Sequence, residues 1–525
     1  GKLALAGLLP LAVLVLFPIW GLATAIVDRP ADPLTGLTPA LSDLMAGAQV
    51  WTLLGRSIML SVCVAIGSVL CGGWLAWIEH RTIVPRWWSL LTLLPLAMPS
   101  YLVAATTRSA LSPGGWFGWV TGSAHVTGFW IAVAVLVAIT APLSQLIIGA
   151  ALQRCAVVEE EAARTLGADP NRGFRDVTLP RLRPAIGFSA LIALLYAISD
   201  FGAVAVLDVP VLTWRLYLAV ESQNVAKAAV LGAATLIAVL PLFIAARWVR
   251  GVKLSQGVAN ARRAQRTVLG PIQRLVTSAV LTGVIGLGVF IPTITLCLWV
   301  MDGLRRSLPF VSPWIALSDT LLAAVVGAGL TVILAWLPAL AVTRRQHRGQ
   351  TSGWLEDTVY LTSALPGVLL ALGLMLATLT VTKHLPQGSY GLILGSGALL
   401  MIGYATRFVA ETFAPVRDAM SAIDERQLDS ARVLGANAMR RFRTIILPSM
   451  APGLAAAFVI AFNAIVKELP VTLLLGGATG LKTLSFRVWD RYSESLWHDA
   501  GLAGLILVAL ALASAVFTTR WRQHG

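Results

Sequence analysis

Twelve apolar runs divide the chain, at about 3–27, 57–78, 89–111, 129–151, 185–207, 226–248, 275–301, 318–343, 358–382, 389–411, 452–475 and 500–519. Each is long enough to cross a hydrocarbon core of about 30 Å at about 1.5 Å of helical rise per residue. Lipid offers no partners to backbone N–H and C=O groups, so such runs close their hydrogen bonds internally, as helices. They are continuous rather than alternating, which excludes a membrane β-barrel. Composition agrees, at 57% hydrophobic, 12% charged and a mean hydropathy of +0.79. The chain therefore reads as an all-α polytopic membrane protein with about 12 transmembrane helices. The first run ends in Ala23-Thr24-Ala25, faintly like a cleavage site. It is long for a signal core and completes the repeat described below, so it reads as a retained span.

A net charge of +15 would suit nucleic acid, but the placement of the charges argues otherwise. With the N-terminus in the cytoplasm, the inner segments hold 28 of the 40 Lys and Arg and the outer segments 11, leaving Lys467 within a span. That bias encodes orientation and puts both termini in the cytoplasm. A basic stretch at 251–274, with Arg262, Arg263 and Arg266, separates six runs from six. It reads as a cytoplasmic linker, either a solvated tether or a contact for anionic lipid head groups. Cys63, Cys71 and Cys297 fall in apolar runs and Cys155 in a loop, and the six histidines are scattered. No metal-ligand spacing emerges.

The two halves echo one another. Glu161-Ala162-Ala163-Arg164-Thr165-Leu166-Gly167-Ala168, continuing to Leu179-Pro180, matches Asp429-Ser430-Ala431-Arg432-Val433-Leu434-Gly435-Ala436, continuing to Leu447-Pro448, 268 positions later. Asp200 answers Glu468 in the same register, and Arg215-Leu216-Tyr217 answers Arg487-Val488-Trp489 at 272. Six runs per half give both halves one orientation. The fold expected is two parallel six-helix repeats, 1–250 and 275–525, related by a pseudo-twofold along the membrane normal, with a solute path on that axis.

Each repeated island is polar, arginine-rich and flanked by membrane spans. Val157–Leu166 and Ala422–Leu434 have helix-forming composition, and Gly167 and Gly435 suit the left-handed position just past a helix end. A short helix, a turn and a second short helix should follow. Leu-Pro then opens the return into the membrane, where proline is tolerated in a first turn. Each island would lie across the cytoplasmic mouth of the bundle.

Glu161-Ala162-Ala163, three residues, Gly167, nine residues, then Val177-Thr178-Leu179-Pro180 resembles the signature of permease subunits of binding-protein-dependent ABC importers. The second copy keeps the spacing but has Asp429-Ser430 in place of Glu-Ala. The resemblance implies that Glu161, Ala162, Ala163, Arg164, Gly167, Leu179 and Pro180, with Asp429, Ser430, Ala431, Arg432, Gly435, Leu447 and Pro448, dock a separate ATPase. It further implies a homodimeric ABC ATPase on the cytoplasmic side carrying ATP-Mg, a periplasmic solute-binding protein, and a place in a bacterial inner membrane. Arg215, Tyr217, Glu221, Arg487, Trp489 and Asp490 would form the outer surface that receives the binding protein. Ser199-Asp200-Phe201-Gly202 and Val466-Lys467-Glu468-Leu469-Pro470 resemble the fused permeases of ferric-ion importers, while fused thiamine permeases share the layout and the Asp-Phe-Gly element. This chain has no phosphate-binding motif of its own, since Leu481 interrupts Gly477–Thr483. It is expected to bind no cofactor and not to be an enzyme alone. A secondary transporter driven by an ion gradient is the alternative class, disfavoured by the paired islands.

Asp200 and Glu468 each lie sixteen residues past the proline that opens their span, Pro184 and Pro452, roughly 24 Å along a helix. Carboxylates at that depth are costly and generally face a bundle interior or aqueous cavity. One reading has them flank the path beside Ser199, Lys467 and Pro470, offering hard oxygen ligands to a passing metal ion. The other has them as a structural pair, with Glu468 neutralised by Lys467 or Arg487. Gly202 and Pro470 mark helix irregularities beside them.

Overall fold

The computed structural model of the chain describes residues 16–24, 48–85, 87–120, 122, 127–154, 165, 167, 169–251, 269–386 and 388–524. Its regular elements among these residues are helices, as the continuous apolar runs require. Eight are long and apolar enough to cross a membrane, and eleven if each of three bent pairs counts as one span. These eleven correspond to the second to twelfth runs. Most of the first run and of the 251–274 linker lies outside the described residues.

We label the helices that position the sites as α1 (Ala48–Arg81), α2 (Trp88–Ala97), α3 (Ser100–Leu111), α4 (Phe129–Arg154), α5 (Phe174–Ser199), α6 (Gly202–Val206) and α7 (Leu212–Glu221). Next come α8 (Pro271–Arg305), α9 (Trp314–His347), α10 (Gly353–Ala364), α11 (Gly367–Thr382) and α12 (Ala398–Ser421). The last are α13 (Glu425–Val433), α14 (Ala438–Lys467), α15 (Pro470–Leu475), α16 (Leu484–Ser493) and α17 (Trp497–His524). By packing, the chain forms two compact units. One gathers Gly47–Arg215 with Ala234–Asp302, and the other Gly1–Ala46, Leu216–Ala233 and Gly303–Gly525.

In the first unit α1 packs along α4 and α5. Small residues set the distance: a Cβ on Gly72 would lie 2.2 Å from the carbonyl oxygen of Ala141. Ser68 and Thr140 add a buried hydroxyl pair at 2.5 Å across the same contact. Close backbone approach and interhelical hydrogen bonds replace the hydrophobic drive that lipid removes. The second unit repeats the arrangement with α9 against α12 and α14. There Gly327 leaves room for Tyr404 and Ile465, and Ala335, Ala339, Val409, Phe413 and Met450 fill the core.

Three expected spans are not single helices. The 89–111 run bends by 94° between α2 and α3, and the 358–382 run by 89° between α10 and α11. Met98-Pro99 and Leu365-Pro366 lie at these breaks with extended backbone, as expected of a residue held before proline. The 389–411 run bends by 57° at Gly397, whose φ is +74°. The fifth and eleventh runs are also displaced. They begin earlier, at Phe174 and Ala438, and stop at Ser199 and Lys467, where extended Asp200 and Glu468 precede the short helices α6 and α15. Finally, α12 runs on to Ser421, so Arg407, one of the 28 Lys and Arg that the orientation assigns to the inner segments, lies in its first half.

Candidate functional site

The second island is a fully capped helix–turn–helix. The Asp424 side chain accepts the N–H of Arg426 at 2.9 Å and starts α13. At its end the Ala436 N–H reaches the Ala431 carbonyl (2.9 Å) and the Gly435 N–H reaches that of Arg432 (3.0 Å). Gly435 carries a φ of +78°. This pair of bonds is a Schellman motif, which needs a left-handed residue where glycine stands. Asn437 then caps the next turn by accepting from the Arg440 N–H at 2.8 Å. The helix passes through a π-turn at Phe442–Ile446 before Leu447-Pro448, so no separate second helix forms: it runs unbroken into the membrane span.

In the first island Glu161, Ala162, Ala163 and Arg164 lie outside the described residues. The part that is described matches its counterpart. Gly167 has a φ of +86°, Asp169 accepts from the Arg172 N–H at 2.8 Å, and Phe174–Thr178 is again a π-turn before Leu179-Pro180. The face of α13 is mixed. Asp429 and Arg432 form an exposed i,i+3 pair at 2.6 Å, which at that exposure contributes little by itself. Val433 and Leu434, by contrast, are 88% and 84% exposed beside the Schellman glycine. Apolar side chains held out on a rigid polar helix suit a partner's groove.

At the membrane-buried breaks both carboxylates do the same local task. Asp200 is buried, and its Oδ1 accepts the Ala203 N–H at 2.8 Å, capping α6. Its carbonyl, freed by the end of α5, accepts the Thr213 hydroxyl at 2.8 Å. In the other unit Glu468 Oε1 accepts the Val471 N–H at 3.4 Å and its carbonyl accepts the Thr472 hydroxyl at 2.9 Å. Ser485 donates to the Val466 carbonyl at 2.7 Å. A broken helix within the membrane is tolerated only where the freed groups find such partners. Each carboxylate also stands where two helix N-termini meet. A Cβ on Gly202, at the start of α6, would lie 2.7 Å from Cβ of Tyr101 at the start of α3. A Cβ on Gly367, at the start of α11, would lie 2.8 Å from Glu468 Oε1. A negative charge is favourable beside such partly positive ends.

Two residues that sequence reasoning missed join Glu468 and Lys467. Arg407 on α12 donates to the Leu365 carbonyl at 2.5 Å, at the break before α11, and its charge acts on Glu468. Glu411, one turn along α12, interacts electrostatically with Arg407, Lys467 and Glu468. The charge of Arg407 acts on Glu468 and that of Glu411 on Lys467, while the Arg487 guanidinium donates to the Ser312 carbonyl. In the 268-residue register, Ile139, Leu143 and Ser199 stand where Arg407, Glu411 and Lys467 do. The signal was charge at a helical spacing of four inside a run whose mean hydropathy masked it. Among the described residues no group of three His, Cys, Asp or Glu side chains is placed to hold a metal ion.

The outer residues divide by exposure. Arg487 is buried and donates to the carbonyls of Ser312 (2.6 Å) and Val311 (2.5 Å), stapling α16 to the loop before α9. Burial holds its guanidinium below the usual range despite the opposing charge of Asp499. Its counterpart Arg215 is exposed. Tyr217 meets Trp489 edge to face at 6.4 Å, and burial, then the charge of Glu221, push its phenol up to about 12 against donation from the Trp489 ring N–H. Asp490 lies beside Arg491, which also pairs with Glu494 at 2.7 Å.

A family model described as the inner membrane component of binding-protein-dependent transport systems matches residues 68–252 and again 327–524. The chain belongs to this family. Each match contains one Leu-Pro island and one capped intramembrane carboxylate, so the chain is a fused pair of such components. It is similar to the Fe(3+)-transport system permease protein FbpB 2 of Haemophilus influenzae, 27% identical over 482 residues and covering 90% of both chains. The ferric transport system permease protein FbpB of Actinobacillus pleuropneumoniae is 24% identical over 517 residues, 90% of this chain and 72% of that one. A shorter stretch is 30% identical over 186 residues to the sulfate transport system permease protein CysT of Salmonella typhimurium, 33% of this chain and 67% of that one.

Proposed function

We propose that this transport component forms the membrane path of an ABC importer for ferric iron. A separate homodimeric ATPase, carrying ATP-Mg, docks on the two cytoplasmic islands, and a periplasmic binding protein delivers the ion to the outer surface. Both termini lie in the cytoplasm, following the charge bias. The observation that carries the coupling role is α13: a helix capped at both ends, with Val433 and Leu434 held out to solvent at its end, and followed across the Gly435 turn by α14, which runs without a break through the membrane to Lys467, next to Glu468. Closure of the ATPase would push on that lever and on its counterpart before α5. The ferric assignment rests on relatives named for iron transport over nine-tenths of the chain.

Along the path, Asp200 and Glu468 place carboxylate oxygens beside helix breaks, where a small movement uncaps α6 or α15 and frees the oxygens for a passing cation. Ser199, Lys467 and Pro470 flank them. The charges of Arg407, Glu411 and Lys467 confine most of the control to the second unit. Arg215, Tyr217, Glu221, Trp489 and Asp490 serve the binding protein, and Arg487 holds that surface in shape. The test is reconstitution with the ATPase and binding protein, offering ferric ion, thiamine and sulfate in turn. Uptake of ferric ion alone supports the reading, and uptake of another solute in its place overturns the cargo.

A further inference from the structure

In each unit one carboxylate ties three helices together, and that carboxylate has changed helix between the two units. In the first, Glu79 near the end of α1 accepts from the Ser89 hydroxyl at the start of α2 (2.5 Å) and from Nε2 of Gln145 on α4 (2.7 Å). The same nitrogen donates to Thr92 Oγ1 at 2.9 Å. In the second, the acid is Glu356 at the start of α10. It accepts from Nε2 of Gln346 near the end of α9 (3.2 Å), from Nη1 of Arg417 on α12 (3.2 Å) and from the Ser352 hydroxyl (3.3 Å).

The sequences superimpose here without a gap at 267 positions: Glu79-His80-Arg81 on Gln346-His347-Arg348, Trp87 on Trp354, Ser89 on Glu356 and Pro99 on Pro366. Acid and neutral partner have therefore traded places across the same helix junction. The third partner has moved by one turn. In the 268-residue register of the islands, which these helices follow, Phe413 occupies the position of Gln145, and Arg417, four residues on, lies over its ring at 5.8 Å on the way to Glu356. Gly149, in the position of Arg417, leaves room for His80, whose Nε2 would be 2.7 Å from a Cβ there. Every side chain that bonds within the junction differs between the copies, yet both join the same three helices through a carboxylate.

Those three helices form one mechanical line. The helices α4 and α12 lead into the two islands, while α2 and α10 lead into the bends before α3 and α11. The bends lie beside the N-termini that accompany Asp200 and Glu468. We infer that Glu79 with Ser89 and Gln145, and Glu356 with Gln346 and Arg417, are positioning residues: joints that carry displacement of an island to the broken helices at the path. The inference rests on the ATPase-driven reading above.

The test uses the full chain in proteoliposomes with its ATPase and loaded binding protein, reading ATPase capture, ATP hydrolysis and solute taken up per ATP. Glu79→Gln should leave capture and hydrolysis within about twofold while cutting uptake per ATP about tenfold. Glu79→Gln with Ser89→Glu, which rebuilds the second unit's arrangement in the first, should bring uptake per ATP back to within about threefold of wild type. An unchanged ratio in E79Q, or a double variant no better than E79Q, overturns the joint. Ser89→Ala removes a single bond and carries the test if E79Q does not fold: a fall of about threefold is expected, and no fall overturns the inference. If the wild-type chain captures no ATPase, the ATPase-driven reading fails first, and the two failures are told apart.

Discussion

The carboxylate of Asp200 holds the backbone N–H of Ala203 at 2.8 Å, so one charge both ends a membrane span and begins the short helix that follows. Glu468 does the same for Val471 at 3.4 Å. Asn and Gln retain an oxygen acceptor without the charge, which allows capping and charge to be separated. Asp200→Asn should keep the thermal stability of the permease, whereas Asp200→Ala should cost about 1 kcal/mol, the usual worth of an N-cap. If the charges serve the path, Asp200→Asn with Glu468→Gln abolishes uptake while ATPase assembly survives. Unchanged uptake would leave these residues with capping alone.

Gly435 and Gly167 hold φ values of +78° and +86° at the ends of the two islands. A Cβ in the left-handed region costs roughly 1 kcal/mol, and no neighbour lies within 4 Å to aggravate the strain. Gly435→Ala should therefore spare the bundle and loosen α13. Capture of the ATPase should fall several-fold and the melting temperature of the permease should hold; a variant that captures normally would show that the Schellman end is not needed for docking.

Val433 and Leu434 protrude into solvent, so replacing them with Asp removes nothing that the isolated chain buries. Val433→Asp with Leu434→Asp should leave the permease as stable as before, since exposed substitutions usually fall within about 0.5 kcal/mol. An apolar groove that buries both would lose about 1.5–3 kcal/mol for each side chain. Pull-down of the ATPase at graded concentrations measures the difference.

Arg487 and Arg215 look alike in sequence and differ in duty. Two charge-assisted bonds tie Arg487 to Val311 and Ser312, and such bonds contribute about 1.5–3 kcal/mol each. Arg487→Ala should lower the melting temperature by several degrees, and Arg215→Ala should not. The exposed Arg215 should instead matter for hydrolysis stimulated by the binding protein.

The phenol of Tyr217 is raised from 10.0 to about 12, so folding favours its neutral form. Its contribution to stability is complete below pH 10 and drains away as the pH rises towards 12. Phenolate absorbance of the wild type minus that of Tyr217→Phe should show one group titrating near the upper value. A midpoint at the ordinary value would mean that Tyr217 is not packed beneath Trp489 and beside Glu221.

Hydropathy alone located eleven helical stretches, because backbone satisfaction in lipid leaves a long apolar run few alternatives. Gly435 was legible as a helix end for an equally local reason: a polar helix running into glycine has one common way to stop. The breaks were less legible. Residues 201–207 and 469–475 are as apolar as the helices before them, so a hydropathy window runs straight through Asp200 and Glu468 and hides both stops. Arg407 and Glu411 were lost to the same averaging. The joint around Glu79 and Glu356 lay beyond a single-residue comparison of the repeats, because acid and neutral partner had exchanged positions, and the identities beside them, His80 with His347 and Trp87 with Trp354, mark the register without marking the bonds.

Co-purification of the ATPase, followed by transport in proteoliposomes, tests the central claim most directly. With the wild-type chain, the binding protein and ATP-Mg inside, solute should enter only while ATP is hydrolysed. Val433→Asp with Leu434→Asp should abolish capture and uptake together. Uptake that persists without the ATPase, driven by an ion gradient across the same vesicles, would contradict the account.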